Sequence, residues 1–264
     1  MAIPAPISLD DLLKTARTAA LEAGASILEV YQSGDMGESL KADASPLTRA
    51  DQAAHDIITR HLLVTGFPIL SEEGSHLPYA ERKNWEWYWL VDPLDGTKEF
   101  LKRNGEFTVN IALMHHAIPV AGVIYVPVQE TLYWGSKETG AWKEMKGETT
   151  QLQPLPEKAT LEKLLQTPGL TVVASRTHLT AETELFIQQF KDTQLSTMGS
   201  SLKFMLLAEG IADLYPRFAP TAEWDTAAAH AILRAVNRGI YQTNLKSELV
   251  YNKADLLNPS FIAF

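Results

Sequence analysis

Apolar residues recur along this chain with two periods, and the switch between them lays out its elements. Behind Ser8-Leu9-Asp10-Asp11, which offers an N-cap, Leu12, Leu13, Ala16, Ala19 and Ala20 fall at helical spacing and predict a packed helix to about Tyr31. A polar, glycine-bearing break from Gln32 to Gly37 follows. Ser45-Pro46-Leu47-Thr48 then leads into a second helix with Ala54, Ile57, Ile58, His61, Leu62 and Leu63 on one face; His55 and His61 read as ordinary helix histidines. Phe67 to Leu70 is a short buried strand, and the aromatic run from Trp85 to Val91 is another. Pro93 is expected to end that strand by removing a ladder donor, and Lys98 to Lys102 to begin a helix. Phe107–Leu113, Ala121–Val126, Thr131–Gly135 and Gly140–Lys143 read as four successive strands, hence a largely antiparallel sheet. The most apolar region, Ile111 to Val128, is broken by His115, His116, Pro119 and Pro127 and fits two strands and a turn better than a membrane span.

Beyond it, Thr149 to Pro168 is polar and carries three prolines, so it is expected to connect one lobe, 1–150, to a second, 151–264, of a single unit. In the second lobe Thr171–Ser175 reads as a buried strand and Glu182–Phe190 as a helix. Ser196 to Ser201 is a turn feeding a helix with Phe204, Leu207 and Ala208 inward, and Ile211–Arg217 is a strand. Glu223-Trp224-Asp225 opens an alanine-rich buried helix; after Asn237 the pattern is mixed.

Candidate chemistry gathers where strands end. Asp92 and Asp95 stand three residues apart on the expected strand–turn–helix junction, with Gly96 allowing close approach of the backbone. Two ionised carboxylates that close require either a proton or a cation between them. Together with a freed carbonyl at Leu94 they are hard oxygen ligands suited to Mg²⁺ or Mn²⁺. The N–H groups of Gly96 and Thr97 open the next helix and point toward an anion. An acidic loop with an N-cap has the same spacing. Glu72 and Glu73 lie at the end of the preceding strand, where sites in layered α/β folds collect. Asp51, in a first helical turn, reads locally as a capping or dipole-pairing acid. Lys203 and Arg217 read either as surface charges or, with the small polar residues before Lys203, as an anion site. Asp225 is either a dipole partner or a further carboxylate for the cluster.

Composition narrows the choices. Among 264 residues there is no cysteine, which removes disulfides, thiolate nucleophiles and cysteine-bound zinc. A formal net charge of −9 argues against general nucleic-acid binding, while a small phosphorylated ligand remains compatible if metals and local Lys or Arg reverse the field. Residues 1–6 lack a basic region followed by an apolar core, so no signal peptide is expected.

Asp51, Glu72-Glu73, Asp92-Pro93-Leu94-Asp95-Gly96-Thr97 and Trp224-Asp225 resemble, in order and approximate spacing, the motifs of the inositol monophosphatase superfamily. Lys98-Glu99-Phe100, Gly199-Ser200-Ser201-Leu202-Lys203-Phe204 and Leu214-Tyr215-Pro216-Arg217-Phe218 are most similar to its 3′(2′),5′-bisphosphate nucleotidase branch. The resemblance implies an α/β fold, an α-β-α-β-α sandwich like that of inositol monophosphatase and fructose-1,6-bisphosphatase. It implies a Mg²⁺-dependent, lithium-sensitive phosphomonoesterase with two or three ions, Mn²⁺ being a substitute. By the same resemblance Glu72, Asp92, the Leu94 carbonyl, Asp95 and Asp225 are metal ligands, Glu72 also serving catalysis, while the Glu73 side chain is not. Asp51 and Thr97 position and activate the attacking water. Gly96, Thr97, Ser200, Lys203, Arg217 and Asp225 contact substrate, with Arg176 and His178 on a nucleotide-facing loop. The implied reaction is hydrolysis of adenosine 3′,5′-bisphosphate to AMP and phosphate, with adenylyl-sulfate 3′-phosphate as a second substrate. The alternatives are an inositol- or sugar-phosphate phosphatase on the same fold, or a non-catalytic nucleotide sensor. A haloacid-dehalogenase-type site, with one residue between its two Asp, does not fit the two that intervene here. The implied partner is a small nucleotide bisphosphate, with no nucleic acid and no integral membrane segment, on a monomer or homodimer. The implied location is the cytoplasm or the cytoplasmic face of the inner membrane, although no lipidation signal or basic amphipathic helix supports the latter.

Overall fold

Side-chain alternation along the strands sorts the buried residues into three separate cores, and these define the layers. The computed structural model of the protein describes residues 8–34, 36–40, 46–75, 77–156, 160–175 and 180–264. In chain order the first elements are α1 (Leu9–Ser33), β1 (Ser39–Leu40), β2 (Pro46–Leu47), α2 (Arg49–Leu63), β3 (Ile69–Ser71), α3 (Tyr79–Arg82), β4 (Trp87–Asp95) and α4 (Thr97–Leu101). A meander follows: β5 (Thr108–His115), β6 (Ile118–Val126), β7 (Thr131–Ser136), β8 (Gly140–Met145) and β9 (Glu148–Leu152). The remainder comprises α5 (Leu161–Gln166), β10 (Thr171–Ser175), α6 (Ala181–Ile187), β11 (Gln194–Met198), α7 (Leu202–Ala208), β12 (Tyr215–Arg217), α8 (Trp224–Ala235), β13 (Ile240–Gln242) and β14 (Phe261–Ala263).

Strands β3 to β9 form one sheet in sequence order, with β3 parallel to β4 and every later pair antiparallel. On β4, Trp87, Trp89 and Val91 face the core under α1 and α2, whereas Tyr88 and Leu90 face the core under α7 and α8. A second sheet is built from β12-β14-β13 and the parallel pair β10-β11, joined by a bridge between Val172 and Leu214. Here Val173, Tyr215, Phe261 and Ala263 point to α7 and α8, while Val172, Leu214 and Ile262 point to a third core with Leu164 of α5 and Phe186 of α6. The order is thus helices, sheet, helices, sheet, helices, the α-β-α-β-α sandwich that the resemblance implies. Each fully buried Leu or Phe in these layers contributes about 2 kcal/mol relative to exposure.

Helix α1 starts where Ser8 accepts a hydrogen bond from the Asp11 N–H, and α2 where Thr48 and Asp51 form a capping box. Helix α8 lies with its backbone directly on β6: a Cβ on Gly122 would stand 2.1 Å from the Ala228 carbonyl oxygen. That close approach sets where the N-terminus of α8, and so Asp225, sits relative to β4 and β5. Among the described residues no helix is long and apolar enough to cross a membrane, and Ile111–Val128 forms the two strands expected of it.

Three expectations need correction. Pro93 does not end β4. The strand continues to Asp95 through a bulge, because Asp92 pairs with Asn110 and Asp95 with Thr108, leaving one residue extra in which a missing ladder donor costs nothing. The polar stretch after Gly147 is not all connection: Glu148–Leu152 is the seventh strand of the first sheet, exposed along almost its whole length as an edge. Ser196–Met198, expected to be part of a turn, is the second half of β11, which pairs in parallel with β10.

Candidate active site

The bulge of β4 is the local cause of the site. It turns Asp92, Leu94 and Asp95 toward one cleft, and Gly96, at φ +93°, then redirects the chain into α4. A Cβ at Gly96 would stand 3.1 Å from the Glu106 carbonyl oxygen and 3.3 Å from the Ser200 Cβ, so a larger residue would be both strained and crowded. The cleft encloses about 570 Å³ between the two sheets. One wall carries carboxylates, the other Lys203 and Arg217, with Ser200 between them.

Glu72, at the end of β3, is brought beside Asp92 by the parallel β3–β4 ladder, whose last paired residues are Ser71 and Val91. Asp225 arrives from the first turn of α8. One carboxylate oxygen from each of Glu72, Asp92 and Asp225 lies within 4.8 Å of the other two, close enough for a shared cation. Asp92 Oδ1 accepts the Leu94 N–H at 3.1 Å, and Asp225 Oδ2 accepts the Ala222 N–H at 2.8 Å. Asp95 Oδ2 accepts the Ser200 hydroxyl at 2.6 Å and the Ser201 hydroxyl at 2.9 Å.

Burial, then the charges of Glu72, Asp95, Asp225 and Asp51, push the Asp92 carboxyl well above the usual carboxylate range. Burial, then Asp95 and Glu72, do the same to Asp225 against the opposing pull of the Ala222 N–H and Arg217. Such mutually repelling carboxylates are the electrostatic complement of divalent cations. An all-oxygen donor set of this kind fits hard ions. The residues therefore fit a metal centre.

Behind them Asp51 is buried and divided between two tasks. Its Oδ2 accepts the Thr48 N–H at 2.7 Å and the Thr48 hydroxyl at 2.6 Å, and its Oδ1 faces the Thr97 hydroxyl at 3.3 Å. The capping role and the link to Thr97 coexist in one carboxylate. Thr97 Oγ1 also lies 3.4 Å from the Leu94 carbonyl.

Across the cleft Lys203 is buried, donating to the Ser200 carbonyl at 2.6 Å and the Met198 carbonyl at 3.3 Å. Burial pulls its ammonium down to about 8; Asp95 works against this, and Arg217 adds to it. Among the described residues Arg217 reaches only the Pro220 carbonyl, at 3.5 Å, and its buried Nε has no hydrogen-bond partner. Arg176 and His178 lie outside the described residues.

Sequence reasoning assigned no role to Ser201, Thr108 and Asn110. Asn110 Nδ2 donates to Ser201 Oγ at 2.9 Å, Thr108 Oγ1 donates to Asn110 Oδ1 at 3.0 Å, and Thr108 and Ser200 share a 2.7 Å hydrogen bond. This chain ties the Ser200-Ser201 turn and Asp95 to β5. A signal existed: Thr108 and Asn110 are polar residues two apart in an otherwise apolar strand, hence on one buried face. Glu223 was also unassigned. Fully buried before α8, it accepts the Asn252 N–H at 2.6 Å and the Lys253 N–H at 3.0 Å and pairs with the Lys253 ammonium, anchoring the segment that carries Asp225.

Residues 8–262 match the inositol monophosphatase family. The chain is 44% identical over 256 residues to the 3′(2′),5′-bisphosphate nucleotidase CysQ of Escherichia coli (strain K12), covering 96% of this chain and 98% of that one. It is 45% identical over 245 residues to the enzyme of the same name from Salmonella typhimurium, covering 92% and 95%. The crystal structure of CysQ from Bacteroides thetaiotaomicron superposes with a TM-score of 0.82 at 47% identity, covering 97% of each chain.

Proposed function

The chain belongs to the inositol monophosphatase family, and we propose on that premise that it is a 3′(2′),5′-bisphosphate nucleotidase, hydrolysing adenosine 3′,5′-bisphosphate to AMP and phosphate. The observation that carries the reading is the two-walled cleft, in which a carboxylate cluster centred on buried Asp92 faces a buried lysine and an arginine that, among the described residues, has donors to spare. A substrate with two phosphates needs both walls: one ester at the carboxylates, and a second anion held apart from it. The similarity to proteins named as 3′(2′),5′-bisphosphate nucleotidases supports the same substrate class.

We assign Glu72, Asp92, Asp95, Asp225 and the Leu94 carbonyl to the binding of Mg²⁺, with Mn²⁺ as a substitute and Li⁺ as an inhibitor. When bound, such ions lower the pKa of water and neutralise phosphate charge. The protein's own part is positional. Thr97 Oγ1 gives its proton to Asp51 Oδ1 in a hydrogen bond and keeps its lone pairs for the proton of an incoming water. Water oxygen bonds to phosphorus as the bond to the 3′-oxygen breaks, and that oxygen leaves with a proton as the hydroxyl of AMP. The N–H groups of Gly96 and Thr97 face the phosphoryl oxygens, and Arg217, with Lys203 behind it, takes the 5′-phosphate.

The test is phosphate release from adenosine 3′,5′-bisphosphate and from inositol 1-phosphate, side by side in Mg²⁺, with and without Li⁺. A lithium-inhibited preference for the nucleotide is expected. A preference for the inositol ester would leave the carboxylate wall's role standing and overturn the role given to Lys203 and Arg217.

A further inference from the structure

At the end of β4 remote from the carboxylates, the β5–β6 hairpin places two imidazoles beside a third ligand. Neighbouring strand residues ordinarily point to opposite faces, but His116 sits in the left-handed region at φ +51°, and its ring comes to 4.4 Å from that of His115. The His116 N–H donates to the Glu86 carbonyl at 2.7 Å, fixing the turn against the residue before β4. The His115 ring also packs at 4.4 Å on Trp87, and its Nε2 lies 3.6 Å from Glu86 Oε1. One ligand atom from each of Glu86, His115 and His116 lies within 4.8 Å of the other two.

We propose that Glu86, His115 and His116 form a second metal site, for a transition-metal dication of the zinc type, independent of the cleft. Two imidazoles and a carboxylate are a donor set that zinc accepts, whereas an all-oxygen set suits Mg²⁺. Bonds of about 2.0–2.2 Å place tetrahedral ligand atoms about 3.3 Å apart. The separations here close to that value by rotating the exposed Glu86 and His116 side chains, the fourth position being left to water. Trp87 pairs with His115 and Asp92 with Asn110, so five residues of strand, about 17 Å, separate the two clusters. Bound there, the ion would staple the entry of β4 to the hairpin.

Calorimetric titration of the full chain with Zn²⁺ in saturating Mg²⁺ tests this, alongside His116→Asn, which tolerates the left-handed backbone, and Glu86→Gln, which keeps the shape. The parent should take up one zinc equivalent that either variant loses or binds at least about tenfold more weakly. In the parent, ring ¹⁵N resonances of His115 and His116 should shift, and those of buried His230, bonded to Tyr251, should not. Equal uptake and affinity in all three proteins, or zinc binding without a shift at His115 and His116, would overturn the proposal. Both variants should retain magnesium-dependent phosphate release, since neither residue touches the cleft.

Discussion

The two walls of the cleft are held in opposite ways. On the carboxylate wall, Asp92, Asp95, Asp225 and the Asp51 behind them each accept named N–H or O–H donors. Their geometry is set before any ligand arrives, and the unmet demand is for positive charge. On the cationic wall Lys203 spends its ammonium on two carbonyls, but among the described residues Arg217 keeps most of its guanidinium unspent. Its unmet demand is for an anion. On the function proposed above, a cleft divided in this way would separate chemistry from discrimination: one wall has to be rigid, while the other needs only free donors at a fixed distance.

The largest effect that tests this division is expected from Asp92→Asn. It removes a central charge of the metal wall with little change in shape, and kcat should fall about 10³-fold or more while the circular dichroism spectrum is kept. An active, normally metal-binding variant would break the distinction. Arg217→Ala should act on the other axis. The loss of charge-assisted hydrogen bonds to one phosphate should raise KM for adenosine 3′,5′-bisphosphate about 10- to 100-fold and leave the monoester inositol 1-phosphate nearly unaffected. Equal losses on both substrates would place Arg217 with the chemistry instead. The smallest change is expected at Lys203, read as stability rather than rate. Its ammonium titrates at about 8 when folded against 10.5 unfolded, so burial of the charge is a penalty fully present below pH 8. Between pH 8 and 10.5 the unfolded chain binds more protons, and stability rises with pH. Relative to Lys203→Met, the parent should therefore gain on the order of 2 kcal/mol between pH 7 and pH 10 in urea unfolding. A pH-independent difference would mean that the ammonium is better solvated than its surroundings indicate.

The carboxylate wall was the more legible in the sequence, for a local reason. Asp92 and Asp95 share one turn, and Glu72 ends the neighbouring strand, so spacing and strand-end position suffice to suspect them. Which carboxylates to assign to a metal, Asp225 among them, came from the resemblance to a family rather than from spacing. Ser201, Thr108 and Asn110 were not found because their partners are defined only once β5 and the start of α7 meet. Of the strands that escaped prediction, β9 and β11 lie at sheet edges with most of their side chains exposed, while β13 and β14 are buried but only three residues long, too short for a period to register. An edge strand of this kind has no buried face and therefore no alternation to detect. Pro93 misled for a different reason: the rule that proline ends a strand holds for a regular ladder, and a bulge suspends it.

The second sheet is assembled out of chain order. The middle strand of its β12-β14-β13 ladder, β14, follows all the others, so β12 and β13 gain that ladder partner only when it arrives, Arg217 pairing with Phe261. The first sheet from β4 onward pairs each strand with its sequence neighbour and needs far shorter loops to close. Distant pairings form more slowly than near ones. The expected history of a single molecule is therefore that Glu72, Asp92 and Asp95 converge early and Arg217 is seated late. For an interval during folding, the protein would hold part of the wall assigned to the metal without the one assigned to choosing a substrate.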